Sequence, residues 1–245
     1  MAPTARPGVF RRRIVLEAPA ADTVDAALED DFHRFRVTLR HDGARITAVD
    51  GAAERYPWSA CPGAVARLDG LAGLPLERAA SGLGRHADAH THCTHLFDLA
   101  GLATAHAAAR RTRRVYDVVI PDRDEGGFTT AEVARDGTVV LAWDLEWGTI
   151  LGPDPFTGVG LRGGFLRWAE ANLDLETAEA ACVLRRAGEI SFGRNHDWDT
   201  FDVAARVGDF MLGVCHTFQP GVAETAVRMR GSIRDFTEDP SAPLT

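Results

Sequence analysis

The stretch Phe32-His-Arg-Phe-Arg-Val-Thr-Leu-Arg40 alternates apolar and polar side chains over most of its length. Phe35, Val37 and Leu39 share one side, and the residues between them share the other. This is the pattern of a strand with one buried face. The turn signal His41-Asp-Gly43 follows, so residues 45–56 are predicted to form the returning strand of a hairpin.

Helical spacing follows this hairpin, and the same order of strands and then helices recurs further along the chain. Helices are predicted from near Cys61 and over Cys93–Arg110. In the second half, Val139-Val-Leu-Ala-Trp-Asp-Leu-Glu-Trp147 is the strongest strand pattern. The other predicted elements are strands at 20–28, 113–120 and 128–134, a loop at 152–164, helices at 165–172 and 175–186, and a last helix from about Gly208. Asp174 is the predicted N-cap and Gly188 the predicted C-cap of the helix at 175–186.

The repeated order predicts an α+β fold of two similar lobes, each an antiparallel sheet followed by helices. The lobes are predicted to cover residues 1–111 and 112–236, with a loose tail at 237–245. The segments that begin at Cys93 and Cys215 can be laid on each other with the cysteines in register. This indicates an internal repeat with a site at the junction of the lobes, and chance similarity is the alternative.

Amino-acid composition indicates which partners, which chemistry and which cellular compartment are to be expected. The chain has 245 residues and a net charge of −8, which disfavours nucleic acid and anionic membranes as partners. All of its basic residues other than histidine are arginines, so lysine Schiff-base chemistry is excluded. No signal peptide or membrane-spanning stretch is recognisable, so a cytoplasmic location and four free thiols are predicted.

Several short stretches resemble known families. Phe32-His-Arg-Phe35, Tyr56-Pro-Trp58, Cys61-Pro-Gly63, Cys93-Thr-His-Leu96 and Gly231-Ser-Ile-Arg-Asp-Phe236 resemble the bacterial family named domain of unknown function 2889. That resemblance implies no particular activity. The run from Cys61-Pro-Gly-Ala to His92-Cys93 is more distantly similar to the NifU and SufE iron–sulfur scaffolds. It implies that Cys61, His92 and Cys93 match three ligand positions, whereas the first ligand cysteine of the scaffold has no counterpart.

The densest group of reactive side chains lies between His86 and His95. Four of the nine histidines and Cys93 fall within these ten residues. Imidazole and thiolate are common ligands of zinc and iron, so Cys61, His92, Cys93 and His95 form the predicted metal set. A thiol at a helix N-terminus is also expected to have a lowered pKa, which favours ligation or nucleophilic attack by Cys93. The alternative is a solvated loop followed by a buried structural cysteine.

Asp144 and Glu146 share one face of a predicted strand, with Trp143, Leu145 and Trp147 on the other. Such a carboxylate pair can divide general acid and base work, or can be the solvated face of a sheet.

Three further histidines carry similar alternatives. Cys215-His216 is a second ligand or nucleophile pair, or a core cysteine beside a surface histidine. His196 is a proton carrier flanked by carboxylates, or an ordinary loop residue. His33 is a ligand that reaches toward Cys93, or an exposed strand position.

Three hypotheses of function follow. The first is a small-molecule lyase, isomerase or hydrolase with a Cys/His site in a pocket between the lobes, using zinc or iron. Cys93 and His95 would carry the chemistry, and Asp144 or Glu146 would carry protons. The alternatives are a metal or iron–sulfur carrier, and a binding module without chemistry. A homo-oligomer is compatible with all three.

Overall fold

A computed structural model describes residues 8–239 and 243–244. Its eight named strands form one antiparallel sheet in the order β4-β3-β2-β1-β5-β6-β7-β8. The strands are β1 (Val9–Ala20), β2 (Thr23–Asp30), β3 (Arg34–His41), β4 (Ile46–Arg55), β5 (Arg113–Pro121), β6 (Phe128–Arg135), β7 (Thr138–Glu146) and β8 (Thr149–Gly152). The predicted α+β class is therefore confirmed.

The two halves of the chain meet at the middle of this sheet. β1 pairs with β5 from Val9↔Pro121 to Glu17↔Arg113, so the strand order is symmetric about this pair. Each half supplies a four-stranded meander and the helices that follow it. The predicted boundary at 111/112 lies between a helix and β5, and the sheet continues across it. The halves thus share one sheet, where two separate sheets were expected.

The helices are α1 (Thr94–Ala108), α2 (Phe165–Asn172) and α3 (Leu175–Ser191), and Cys61–Leu71 is a 3₁₀ helix. Their core face can be read from β1, where Phe10, Ile14 and Leu16 are buried at alternate positions. α1 packs on β2 and β3, and α3 packs on β5 and β6. By position α1 thus corresponds to α3, so the counterpart of Cys93 is Asp174, the N-cap of α3, and not Cys215.

Of the two caps predicted for α3, the N-cap is confirmed and the C-cap is wrong. The Asp174 carboxylate accepts hydrogen bonds from Glu176 N and Thr177 N, as expected of the predicted N-cap. The predicted C-cap at Gly188 is wrong, because α3 continues to Ser191. A Cβ at Gly188 would lie 3.0 Å from Leu161 Cδ1, so the glycine admits a close neighbour.

Two predictions about the second half and the tail also change. The helix expected from about Gly208 is wrong, because that segment forms short 3₁₀ turns at Asp209–Met211 and His216–Phe218. In the predicted loose tail, Thr237 Oγ1 accepts a hydrogen bond from Val9 N and Leu244 N donates to Glu29. Residues 240–242 and 245 lie outside the described residues. Within the described ranges, no helix has the length and apolar character needed to cross a membrane.

Candidate functional site

The turn between β2 and β3 is organised by one carboxylate. Asp30 Oδ1 accepts hydrogen bonds from the backbone N–H groups of Phe32 and His33, each at 2.8 Å. The backbone of Asp30 also donates to His33 O at 2.9 Å. An aspartate that binds the backbone two and three residues later is a common device of tight turns. The turn formed by Asp30-Asp-Phe-His33 therefore fixes the backbone position from which the His33 side chain projects.

Asp30 also forms a buried ion pair across the sheet. Arg12, its register partner on β1, donates from Nε at 3.0 Å and from Nη2 at 2.6 Å to Asp30 Oδ2. Both side chains are at most 1% exposed. Burial disfavours the ionised carboxyl, but His33 and Arg12 together hold the pKa of Asp30 well below its usual range. Asp30 is therefore a permanent negative charge inside the core.

His33 points from this turn toward the start of α1. Its Nδ1 lies 3.0 Å from Asp30 Oδ1, and an ionised carboxylate can only accept, so Nδ1 carries the proton. The Nε2 lone pair is then left for another partner. Burial lowers the pKa of His33 despite the neighbouring Asp30, so the ring is uncharged at neutral pH.

His95 completes the group from the first turn of α1. The His33 and His95 ring centroids lie 3.9 Å apart, and Phe35 stacks on both rings at 5.5 and 5.8 Å. Burial lowers the pKa of His95 well below its usual value, and His33 and Arg12 lower it further. His95 Nε2 is buried and has no hydrogen-bond partner within the described residues. The cluster thus presents two neutral imidazoles side by side, and we call Asp30, His33 and His95 the histidine centre.

The histidine centre is also the candidate metal position. One ligand atom from each of Asp30, His33 and His95 lies within 4.8 Å of the other two, and no other such group of three or more occurs among residues 8–239 and 243–244. The Asp30 oxygens are already occupied by Arg12, His33 and backbone donors. An ion here would therefore use the two imidazoles, with Asp30 orienting His33 from outside the coordination shell.

The predicted metal set is not gathered around one point. His95 belongs to the histidine centre, whereas Cys61, His92 and Cys93 lie outside it. Cys93 is the N-cap of α1, and its electrostatic neighbours are Cys61 and Cys215. Although both lie near the start of α1, His95 contributes to the histidine centre, whereas Cys93 lies near Cys61 and Cys215.

A second cluster gathers three cysteines from distant parts of the chain. We call Cys61, Cys93 and Cys215 the cysteine cluster. Its segments are joined by a hydrogen bond from His216 N to His92 O at 2.8 Å and by a contact of 3.4 Å between Cys61 Sγ and Thr217 Oγ1. The Cys215-His216 pair therefore adjoins the Cys61 and Cys93 region.

The thiols of this cluster are not activated. Burial raises the pKa of Cys61 to about 11 and raises that of Cys93 still further, and it also raises the pKa of Cys215. The lowered pKa expected for Cys93 at a helix N-terminus is thus reversed, because desolvation outweighs the helix dipole.

The predicted carboxylate pair lies elsewhere. Asp144 and Glu146 are exposed on β7, while Trp143 and Leu145 between them are buried. Four strands separate β7 from β3, so the pair is not part of the histidine centre. Trp147, which was predicted to share a strand face with Trp143 and Leu145, follows the end of β7 and is 53% exposed.

Arg12 and Asp30 are not among the predicted site residues, and a ligand role for His33 was one of two alternatives. His33 is buried and contacts His95, whereas its predicted direction was toward Cys93. A charged residue at an inward position of an alternating strand is the signal that marks Arg12.

Comparison with known proteins bears on the first half of the chain. Residues 14–109 match the family described as protein of unknown function (DUF2889). The DUF2889 segment contains the whole histidine centre, together with Cys61, His92 and Cys93, whereas Arg12 and α3 lie outside it. No curated protein matches the chain. The resemblance to the NifU and SufE scaffolds stays a prediction.

Proposed function

We propose that this protein is a small-molecule enzyme that transfers a proton through the histidine centre. His33 is the general base or acid, Asp30 orients its ring, and His95 lies beside it as a partner for the transferred proton. A reaction of the lyase, isomerase or hydrolase type needs such a group to remove or deliver a proton at the reacting atom. This role replaces Cys93, Asp144 and Glu146 as the groups that carry the chemistry.

One observation carries this proposal. The bond from His33 Nδ1 to Asp30 Oδ1 sets the tautomer of a buried, uncharged imidazole and leaves its Nε2 unprotonated, with a lone pair that can accept a proton. An acid that orients a histidine in this way also stabilises the imidazolium that forms when the histidine takes a proton. His95 Nε2, buried and unpartnered, adds a second polar atom beside His33.

Turnover in D₂O tests the proposal. A panel of small organic acids, esters and amides is followed by proton NMR, which detects both conversion and exchange of C–H for C–D. The expected result is a substrate whose conversion falls by about 100-fold or more in His33→Gln. His41→Gln is the matched control, because His41 is also a buried histidine of the same hairpin and its Nδ1 serves only Gly43 N. Full conversion by a folded His33→Gln protein would contradict the role of His33.

A metal-assisted reaction is the second candidate, because His95 Nε2 is a buried donor atom without a partner. Zinc or iron held by His33 and His95 would polarise a carbonyl or activate water. Elemental analysis of untagged protein distinguishes the two metal sets. Metal lost in His95→Ala and kept in Cys93→Ala supports the histidine pair. Metal lost in Cys93→Ala supports the cysteine ligands and the carrier alternative. Metal-free wild-type protein leaves proton transfer without a metal.

A further inference from the structure

The cysteine cluster brings together backbone segments from opposite halves of the chain. Cys93 is the N-cap of α1, whereas Cys215 lies in the segment that follows α3, and both residues have an extended backbone. A hydrogen bond of 2.8 Å runs from His216 N to His92 O, which belong to the residues next to the two cysteines. In paired extended chains, residues that face each other beside such a bond have α-carbons roughly 4.5–5.5 Å apart. A disulfide spans about 4.4–6.8 Å between α-carbons, so the two backbones are close enough for one.

The side chains of the cluster also lie near one another. Cys61 and Cys215 are electrostatic neighbours of Cys93, and Cys215 packs with Cys61 in a small apolar group beside the main core. The contact of 3.4 Å between Cys61 Sγ and Thr217 Oγ1 ties the same segment in place. All three cysteines carry free thiols. The cluster is therefore a group of reduced thiols held together by tertiary packing.

Solvent access differs among these thiols. Cys61 and Cys93 are each 7% exposed, whereas Cys215 is half-buried. An oxidant from solution therefore reaches Cys215 first, and a thiol that then reacts with Cys215 inside the protein needs no access of its own. Cys182 is half-buried too, but it lies on α3, where its electrostatic neighbours are arginine and acidic side chains. It offers a matched thiol outside the cluster.

We infer that Cys215 and Cys93 form a disulfide when the protein meets a peroxide. In the first step Cys215 Sγ attacks one peroxide oxygen, so that an S–O bond forms and the O–O bond breaks. The other oxygen leaves with the thiol proton as water, and the sulfur is oxidised by two electrons to a sulfenic acid. In the second step Cys93 Sγ attacks this sulfur, the S–S bond forms, and the hydroxyl leaves with the Cys93 thiol proton as a second water.

The disulfide would join the two parts of the chain at the start of α1. Cys93 lies within the DUF2889 segment and two residues before His95, whereas Cys215 lies outside that segment. Cys215 is thus the thiol that meets the peroxide, and Cys93 is the resolving thiol. The inference does not depend on the proposed proton transfer, because neither thiol belongs to the histidine centre.

Peptide mapping of the oxidised full chain tests the inference. Reduced wild-type protein is treated with hydrogen peroxide over hours, because burial raises the pKa of Cys215 and leaves little thiolate. Free thiols are then blocked with N-ethylmaleimide in guanidinium chloride, and the protein is cleaved after arginine without reduction. Each cysteine lies on its own peptide, at 56–67, 86–110, 168–185 and 207–228. We expect peptides 86–110 and 207–228 to be joined in monomeric protein, with the loss of two hydrogen atoms.

The same map contains the outcomes that would contradict the inference. Peptide 168–185, which carries the control thiol Cys182, is expected to stay unjoined. A link between 56–67 and 207–228 would overturn the assignment of Cys93. Peptide 207–228 recovered unjoined, with Cys215 as a free thiol or a higher oxide, would overturn the disulfide itself. A link found only in covalent dimers would do the same, because it would join two chains.

Serine variants separate the roles of the two thiols. In Cys93→Ser, the sulfenic acid at Cys215 is expected to persist and to be labelled by dimedone at least tenfold more than in the wild type. In Cys215→Ser, Cys93 is expected to remain a reduced thiol after the same exposure. Cys182→Ser is the matched control and is expected to form the disulfide at the wild-type rate. Equal labelling of Cys215 in Cys93→Ser and the wild type would overturn Cys93 as the resolving thiol.

Discussion

The imidazole of His95 lies against that of His33, with ring centroids 3.9 Å apart, although the two residues are 62 positions apart in the chain. The contact joins the first turn of α1 to the β2–β3 turn. The helix therefore packs on the sheet at this point through two buried imidazole rings. Asp30 orients one ring, and the other has an unpartnered nitrogen. Buried polar groups left in this arrangement are frequent at functional sites.

Asp30→Asn is expected to be strongly destabilising. The substitution leaves Arg12 buried without its negative partner, and breaking a buried pair costs about 3–5 kcal/mol. Urea unfolding followed by circular dichroism measures the loss. The control is Asp50→Asn, which breaks the exposed pair with Arg40 and is expected to cost no more than about 1 kcal/mol. Similar losses in both variants would mean that Arg12 finds another partner or water.

The free energy of unfolding is expected to decrease as the pH is lowered, because of the two histidines of the histidine centre. Burial lowers the pKa of His33 and His95 in the folded protein, while the unfolded chain titrates near 6.5. Between pH 7.5 and 5.5 the unfolded chain therefore takes up protons that the folded protein does not, and the free energy of unfolding decreases. This contribution is fully present above the unfolded pKa and is lost as the pH falls below it.

Removing one of the rings tests this linkage. In His95→Gln the decrease in the free energy of unfolding between pH 7.5 and 5.5 is expected to be smaller than in the wild type. Phe35→Leu serves as the control, because Phe35 stacks on His95 but cannot titrate. It lowers stability without changing the pH dependence. An unchanged slope in His95→Gln would mean that His95 takes up protons over the same pH range in the folded protein as in the unfolded chain.

Local patterns predicted much of the fold. The alternation of Phe35, Val37 and Leu39 marks β3 because these positions face α1, and α2 begins and ends where its pattern indicated. β1 was overlooked, because Arg12 occupies an inward position and interrupts its apolar alternation. The pairing of β1 with β5 depends on register between distant segments, which local periodicity does not encode.

The candidate site was predicted only in part for the same reason. His95 stood out because histidines and a cysteine crowd near it in sequence. Its partners come from the β2–β3 turn and from Arg12, whose link to Asp30 spans 18 residues and is set by strand register. Spacing within one segment identifies ligands only when a single turn or helix carries them, as in helical metal motifs.

The cysteine thiols are expected to react slowly in the folded protein. Burial raises the pKa of Cys61 to about 11 and that of Cys93 further, so little thiolate is present at pH 7.5. Ellman's reagent is expected to modify both rapidly only after unfolding in guanidinium chloride. Peptide mapping assigns the modified residues, and the half-buried Cys182 and Cys215 serve as internal comparisons. Rapid modification of native Cys93 would restore it as a candidate nucleophile.

Gly101→Ala is expected to destabilise the contact between α1 and the segment at 79–83. A Cβ at Gly101 would lie 2.2 Å from Ala80 O, a backbone atom that cannot rotate away. Overpacking of this kind costs about 1–3 kcal/mol, which offsets or exceeds the roughly 1 kcal/mol that alanine gains over glycine in a helix. Gly84→Ala is the control, because nothing lies within 4 Å of its added Cβ. Thermal unfolding compares the two.

Gly84→Ala is expected to leave stability near that of the wild type. A Gly101→Ala protein as stable as the wild type would mean that the segment at 79–83 moves away at little cost.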